Sequence, residues 1–233
     1  MSALPFDLHL LNLCAALLLL LSFAMLAQRR VVTMVNFLAV QGALLFGATL
    51  LLAWRTGQYH LYLSALLTLA LKVALLPWLL HRLIRRLNVY WDTEPLLNIS
   101  GTLLVGVLIV VFAFGLAQPI SALASTAMRN SIGIAVAVVL LSFVTMITRR
   151  KAMSQVVGFL SMENGLFFGA MSATYGMPMV VELGVALDVL VAVLVLGIFF
   201  FQIREQFDSL DLHHLEALKE RSPSAGAPPG EAH

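Results

Sequence analysis

Gly158-Phe-Leu-Ser-Met-Glu-Asn-Gly-Leu-Phe-Phe-Gly-Ala170 contains a single ionisable residue, Glu163, near the middle of an apolar run over 152–174. A charged group at the centre of a membrane-spanning helix costs roughly 2.5–3.5 kcal/mol even on lenient insertion scales, so such a residue is a candidate for function. Lys72 and Asp188 lie at similar depths in two other apolar runs. The sequence therefore predicts a chain that handles protons inside a membrane.

The composition excludes a soluble globular protein. Of 233 residues, 61% are hydrophobic and 11% are charged, and the mean hydropathy is +0.95, which leaves too little polar surface for a soluble fold. The net charge of +2 and the scattered basic clusters give no indication of nucleic-acid binding. Cys14 is the only cysteine, which excludes a disulfide within the chain, and we expect it to pack as a small apolar residue.

Seven apolar runs are long enough to cross about 30 Å of hydrocarbon as helices. They cover residues 7–28, 31–54, 59–81, 98–117, 128–148, 152–174 and 178–202. The first run is followed by an arginine pair and lacks a cleavage site, so we interpret it as a retained helix and not as a signal peptide. We expect an all-α, polytopic integral membrane protein with about seven transmembrane helices.

Positive charge is concentrated in the loops after the first, third and fifth spans. These loops contain Arg29, Arg30, Arg82, Arg85, Arg86, Arg149, Arg150 and Lys151, whereas the even loops contain Arg55 and Arg129. The positive-inside rule then places the odd loops and the C-terminus in the cytoplasm and the N-terminus outside. The predicted location is the bacterial plasma (inner) membrane.

An internal repeat organises the chain. Residues 36–48 align without gaps on 158–170, at an offset of 122, and both copies begin shortly after an arginine pair. The two copies run in the same membrane direction, which indicates a parallel duplication of a three-span unit. Gln41 occupies the position of Glu163 in the other copy.

The duplication predicts four segments. They are an N-terminal three-helix unit at 1–87, an interfacial segment and connector helix at 88–127, a C-terminal three-helix unit at 128–205 that carries Glu163 and Asp188, and a cytoplasmic amphipathic segment with a disordered tail at 206–233. Two parallel three-helix units are thus joined by one helix.

Lys72, Glu163 and Asp188 are the predicted proton-path residues. Each lies about 15 Å from a membrane surface at 1.5 Å per helical residue, too deep for a lysine to reach water. A lysine beside one of the acids would give a site that loads or releases a proton when a nearby charge moves. A static ion pair that fixes helix register remains the alternative. Gln41 and Glu182 are secondary candidates, and Glu182 is close enough to the outer surface to reach interfacial water.

Other chemistries lack the residues they need. The histidines sit at the predicted span ends or in the tail, so no haem site is apparent. The chain has no phosphate-binding loop, no closely spaced set of metal ligands and no nucleophile–base arrangement. We therefore expect no catalytic residue, no bound cofactor and no metal site in this chain.

The arginine pair, the helix with Glu163 and the following helix with Asp188 resemble the K subunit of respiratory complex I and the C subunit of multisubunit sodium/proton antiporters. This resemblance covers about 128–205, where Glu163 and Asp188 match the two membrane glutamates of those subunits. Asp188 departs from the pattern, since aspartate replaces glutamate there, but it keeps a carboxyl group. The seven-span form and the tail at 207–220 are similar to the hydrogenase-4 component E family, over nearly the whole chain.

The resemblance implies a non-catalytic subunit in the membrane arm of a complex-I-related assembly of the nickel-iron hydrogenase or formate hydrogenlyase type. Its implied partners are antiporter-like membrane subunits, a quinone-binding-type membrane subunit and, through them, a peripheral iron–sulfur and nickel-iron module. Two alternatives remain open. One is a subunit of a cation/proton antiporter or an ion-coupled bicarbonate-uptake complex without a redox partner, and the other is a structural scaffold.

Overall fold

The structure is a computed structural model of the chain. It describes residues 6–57, 59–87, 98–121 and 126–174, together with single positions between 184 and 197. The chain divides into two compact units, Met1–Val193 and Leu194–His233, and the helices named below belong to the first. Most of the predicted seventh span, including Asp188 and Glu182, lies outside the described residues, as does the predicted tail.

The ordered elements of the described chain are helical. They are α1 (Phe6–Ala27), α2 (Val31–Thr56), α3 (Tyr59–Thr68), the π-helical turn π1 (Leu69–Leu75), α4 (Leu76–Leu87), α5 (Ile99–Ser121), α6 (Thr126–Thr148) and α7 (Ala152–Ala173). Six stretches of the described chain are long and apolar enough to span a membrane: His9–Ala27, Val31–Thr56, Leu61–Arg86, Ile99–Gln118, Ser131–Thr148 and Ala152–Ala173. The prediction of an all-α membrane protein is confirmed for this part of the chain.

Two helical hairpins, α1–α2 and α6–α7, form the centre of the bundle. α1 packs against α2 and α6, and α7 packs against α6 and α2. α5 lies against α1 and α6, whereas α3, π1 and α4 lie against α2. Since α2 contacts both α7 and π1, residues halfway along these three elements can meet in the middle of the bundle.

Arg149 joins the turns of the two hairpins. Its Nη2 donates hydrogen bonds to the carbonyl of Leu26, at 3.0 Å, and to the carbonyl of Gln28. These carbonyls lie at the end of α1, where a helix leaves its last acceptors without internal partners. The side chain is buried, so Arg149 fixes the bundle as well as contributing to the loop charge. We call this end of the bundle, where α1, α4 and α6 finish and α2 and α7 begin, the arginine end.

The third span is longer than predicted, because α4 continues to Leu87 where the sequence analysis ended the span at 81. Leu83 and Ile84 are buried while Arg85 and Arg86 are exposed. The buried apolar residues keep one face of α4 packed against the bundle, although the arginines begin within this helix. Arg85 and Arg86 therefore lie on the last turn of the helix and not in a loop.

Pro77 explains the π-helical turn that precedes it. Proline has no backbone N–H, and its ring crowds the carbonyl four residues earlier, so a regular α-helix cannot continue through it unchanged. The chain responds with the wider turn π1, which ends where the N–H of Leu76 bonds to the carbonyl of Leu71. Lys72 lies inside this turn. π-Helical turns within α-helices are frequent at functional sites.

Candidate functional site: a buried lysine–glutamate pair

Lys72 and Glu163 form an ion pair in the middle of the bundle. Lys72 Nζ lies 3.7 Å from Glu163 Oε1, and each residue is 3% exposed. The same Nζ donates a 2.8 Å hydrogen bond to Asn164 Oδ1 and lies 5.2 Å from the centre of the Phe167 ring. A carboxylate, an amide oxygen and an aromatic face therefore surround one ammonium, which offsets part of the cost of burying it. We call Lys72 and Glu163 the buried pair.

A directed series of hydrogen bonds leads away from the buried pair. Asn164 Nδ2 donates to Gln41 Oε1 at 3.3 Å, and Gln41 Nε2 donates to Ser22 Oγ at 2.9 Å. Ser22 in turn donates to the carbonyl of Leu18 at 3.0 Å. Because each amide donates on one side and accepts on the other, Asn164 presents its oxygen to Lys72. The network thus connects π1 to α7, α2 and α1.

Gly42 allows π1 to approach α2 closely enough to bring Lys72 into this network. A Cβ atom at residue 42 would lie 2.9 Å from Lys72 Cβ and 3.1 Å from the Lys72 carbonyl oxygen. Any side chain there would push against backbone that cannot rotate away. The glycine is therefore required by the contact between the two elements.

We expect Gly42→Ala to lower the free energy of unfolding by about 1–3 kcal/mol, because the added methyl overpacks the contact with Lys72. Gly47→Ala is the matched control on the same helix, since a Cβ there meets nothing within 4 Å. A glycine-to-alanine change in a helix without a clash is favourable by roughly 0.5–1 kcal/mol. Thermal unfolding of both variants in detergent measures the difference, and equal melting temperatures would contradict the close contact.

The predicted proton-path residues fall into two groups. Lys72, Glu163 and Gln41 come together in the network, whereas Asp188 and Glu182 lie outside the described residues. The sequence analysis missed Asn164. This residue directly follows Glu163, and a second polar residue so deep in a span could have indicated that it belongs to the site.

One contact between the hairpins joins residues at the repeat offset. Within the hairpins, Gln41 donates to Ser22 and Ser142 donates to Ser161 at 2.9 Å, but the second contact is displaced from the first by 120 residues and not by the repeat offset of 122. Thr49 Oγ1 lies 3.4 Å from Met171 Sδ, at the repeat offset of 122. A parallel duplication packed around a pseudo-two-fold axis would bring equivalent positions together in the way that Thr49 meets Met171, and the duplication itself stays a prediction.

Among the described residues, no group of three or more His, Cys, Asp or Glu side chains could hold a metal ion. The titratable groups of the network are Lys72 and Glu163, since amide and hydroxyl side chains keep their protons in the physiological range. The site therefore holds one carboxylate and one ammonium among neutral hydrogen-bonding groups.

Comparison with known proteins identifies a relative that spans almost the whole chain. The uncharacterized protein Rv0085 of Mycobacterium tuberculosis is 35% identical over 212 residues, which cover 91% of this chain and 96% of that protein. The chain belongs to the Rv0085 family. It is also similar to hydrogenase-4 component E of Escherichia coli K12 and of Shigella flexneri, each 27% identical over 175 residues, 75% of this chain and 76% of the relative.

No protein-family profile matches the chain, and no solved structure matches it.

Proposed function

We propose that this protein is a non-catalytic subunit in the membrane arm of a complex-I-related, redox-driven complex of the hydrogenase type. Within that complex, the buried pair carries part of a proton-translocation path. The observation that carries the proposal is the ion pair of Lys72 and Glu163 in the middle of the membrane-spanning helices. The similarity to hydrogenase-4 component E supports the kind of complex.

The buried pair has the properties of a proton-relay site. Glu163 can release a proton when a positive charge approaches, because that charge favours the carboxylate, and bind a proton when the charge leaves. Lys72 compensates the carboxylate while it is ionised, and Asn164 holds the ammonium in place. Asp188 is the proposed next carboxyl, at a similar depth in the predicted seventh span.

The proposal extends to the surroundings of the chain. The proposed location is the bacterial inner membrane, with the N-terminus outside and the arginine end and C-terminus in the cytoplasm, as the loop charges favour. The proposed partners are antiporter-like subunits, a quinone-binding-type subunit and, through them, an iron–sulfur and nickel-iron module. Redox chemistry takes place in those partners, and this chain contributes no cofactor.

Purification of the tagged chain in a mild detergent tests the proposal. We expect it to copurify with iron–sulfur and nickel-iron subunits and with antiporter-like subunits, identified by mass spectrometry and by metal content. A complex of antiporter-like subunits without redox proteins would instead favour cation/proton antiport or ion-coupled bicarbonate uptake.

A further inference from the structure

The ring of Phe167 lies against both Lys72 and Gly184, a described position of the predicted seventh span. Phe167 follows Glu163 by four residues on α7, so its side chain leaves the same face of the helix, one turn further from the arginine end. The ring is buried, and its centre lies 5.2 Å from Lys72 Nζ. A cation at this distance over an aromatic ring is attracted by the negative charge of the ring face.

Gly184 leaves the space that the ring occupies. A Cβ atom at residue 184 would overlap Phe167 Cδ2 and lie 2.5 Å from Phe167 Cε2, so any larger side chain there would displace the ring. Gly42 has the same role beside Lys72, where a Cβ would lie 2.9 Å from Lys72 Cβ. Each partner in the contact between ring and ammonium is therefore placed by a glycine of another span.

The attraction of Glu163 does not by itself fix the position of the Lys72 ammonium. The distance of 3.7 Å from Lys72 Nζ to Glu163 Oε1 is longer than a hydrogen bond, so the attraction between these atoms has little directional preference. The four-carbon stem of lysine is flexible and allows the ammonium several positions. The hydrogen bond to Asn164 Oδ1 and the face of the Phe167 ring restrict this freedom.

We infer that Phe167 is a positioning residue of the buried pair, and that its ring keeps the Lys72 ammonium where the positive charge acts on Glu163. The inference rests on the proposed function and adds to it the residue that holds the lysine. A benzene ring attracts a cation yet carries no titratable group. Phe167 therefore holds the ammonium without competing with Glu163 for the proton.

Fluorinated phenylalanines at residue 167 test the inference in the intact complex. Each fluorine withdraws electron density from the ring face and weakens its attraction for a cation, while the size of the ring changes little. The probes are mono-, di- and trifluorophenylalanine, incorporated by nonsense suppression. We expect the rate of proton translocation per assembled complex to fall stepwise along the series. Trifluorophenylalanine should leave roughly one tenth of the rate, which corresponds to about 1.4 kcal/mol.

The same series at residue 168 is the matched control. Phe168 is the next residue on α7 and belongs to the same buried cluster, but its side chain leaves the helix about 100° further round. We expect no stepwise loss of translocation there, because fluorine at this position alters apolar packing alone. An equal decline at both positions, or no decline at Phe167, would overturn the inference.

Lys72→Met separates the charge of the lysine from a steric effect of fluorine beside Gly184. In thermal unfolding of the complex, fluorination of Phe167 should lower the melting temperature more with Lys72 in place than in Lys72→Met. A decrease of the same size in both backgrounds would assign the effect to packing and reject the positioning role.

Glu163→Gln, measured beside the fluorinated series, distinguishes this inference from the proposed function. Loss of translocation in Glu163→Gln together with a flat series at Phe167 would reject the positioning role and leave the proposed function intact. Normal translocation in Glu163→Gln would reject the proposed function, and the positioning role with it.

Discussion

Glu163→Gln is expected to abolish proton translocation by the intact complex while the complex still assembles. Glutamine preserves the shape and much of the hydrogen-bonding capacity of the side chain, but it cannot bind and release a proton. Loss of a proton-transfer group typically lowers a rate by roughly 10²–10⁴-fold. The measurement is proton uptake into inverted membrane vesicles during electron transfer, with the subunit content determined in the same vesicles. Asp188→Asn is expected to behave in the same way.

Two control variants make this result specific. Glu163→Asp keeps a carboxyl group and should retain part of the transport, whereas Gln41→Glu adds a carboxyl at the equivalent position of the predicted repeat and should have a milder effect than Glu163→Gln. Normal assembly together with normal pumping in both Glu163→Gln and Asp188→Asn would exclude the relay.

Much of the fold could be predicted from the sequence because membrane spans are determined by length and apolar composition. The bounds predicted for the second, fifth and sixth spans agree closely with α2, α6 and α7. The third span was less predictable, since its end depends on the buried face of α4 and its middle on Pro77. Proline was visible in the sequence, but whether a helix kinks, breaks or forms a π turn at proline depends on its neighbours.

The sequence could predict which charged residues belong to the candidate site, but not which of them lie next to each other. Depth alone selected Lys72 and Glu163, because charged residues in the middle of a span are rare. Which acid would lie beside the lysine depended on the contact of π1 with α2 and α7, and hence on Gly42. Asn164 connects the ammonium to Gln41 across two helices, and hydrogen bonds between residues more than ninety positions apart cannot be obtained from local pattern.

Lys72→Met distinguishes a relay from a scaffold when it is combined with Glu163→Gln. Each single change leaves an uncompensated group in the bundle, and breaking a buried pair costs roughly 3–5 kcal/mol if the other charge stays in place. The double variant replaces both charges by neutral side chains of similar size. We therefore expect the double variant to lose less stability than the two single variants lose together. The difference, the coupling energy, should be about 0.5–3 kcal/mol in thermal unfolding of the complex.

Transport is expected to respond differently from stability in these variants. Lys72→Met should slow translocation by roughly tenfold or more, since the Glu163 carboxylate loses the ammonium 3.7 Å away that compensates its charge. If the buried pair is a relay, the double variant assembles well and pumps no protons, because no carboxyl has been restored at residue 163. If the pair only fixes helix register, the double variant regains transport together with assembly. Rescue of pumping in the double variant would therefore assign Lys72 and Glu163 to the scaffold and place the proton path elsewhere in the complex.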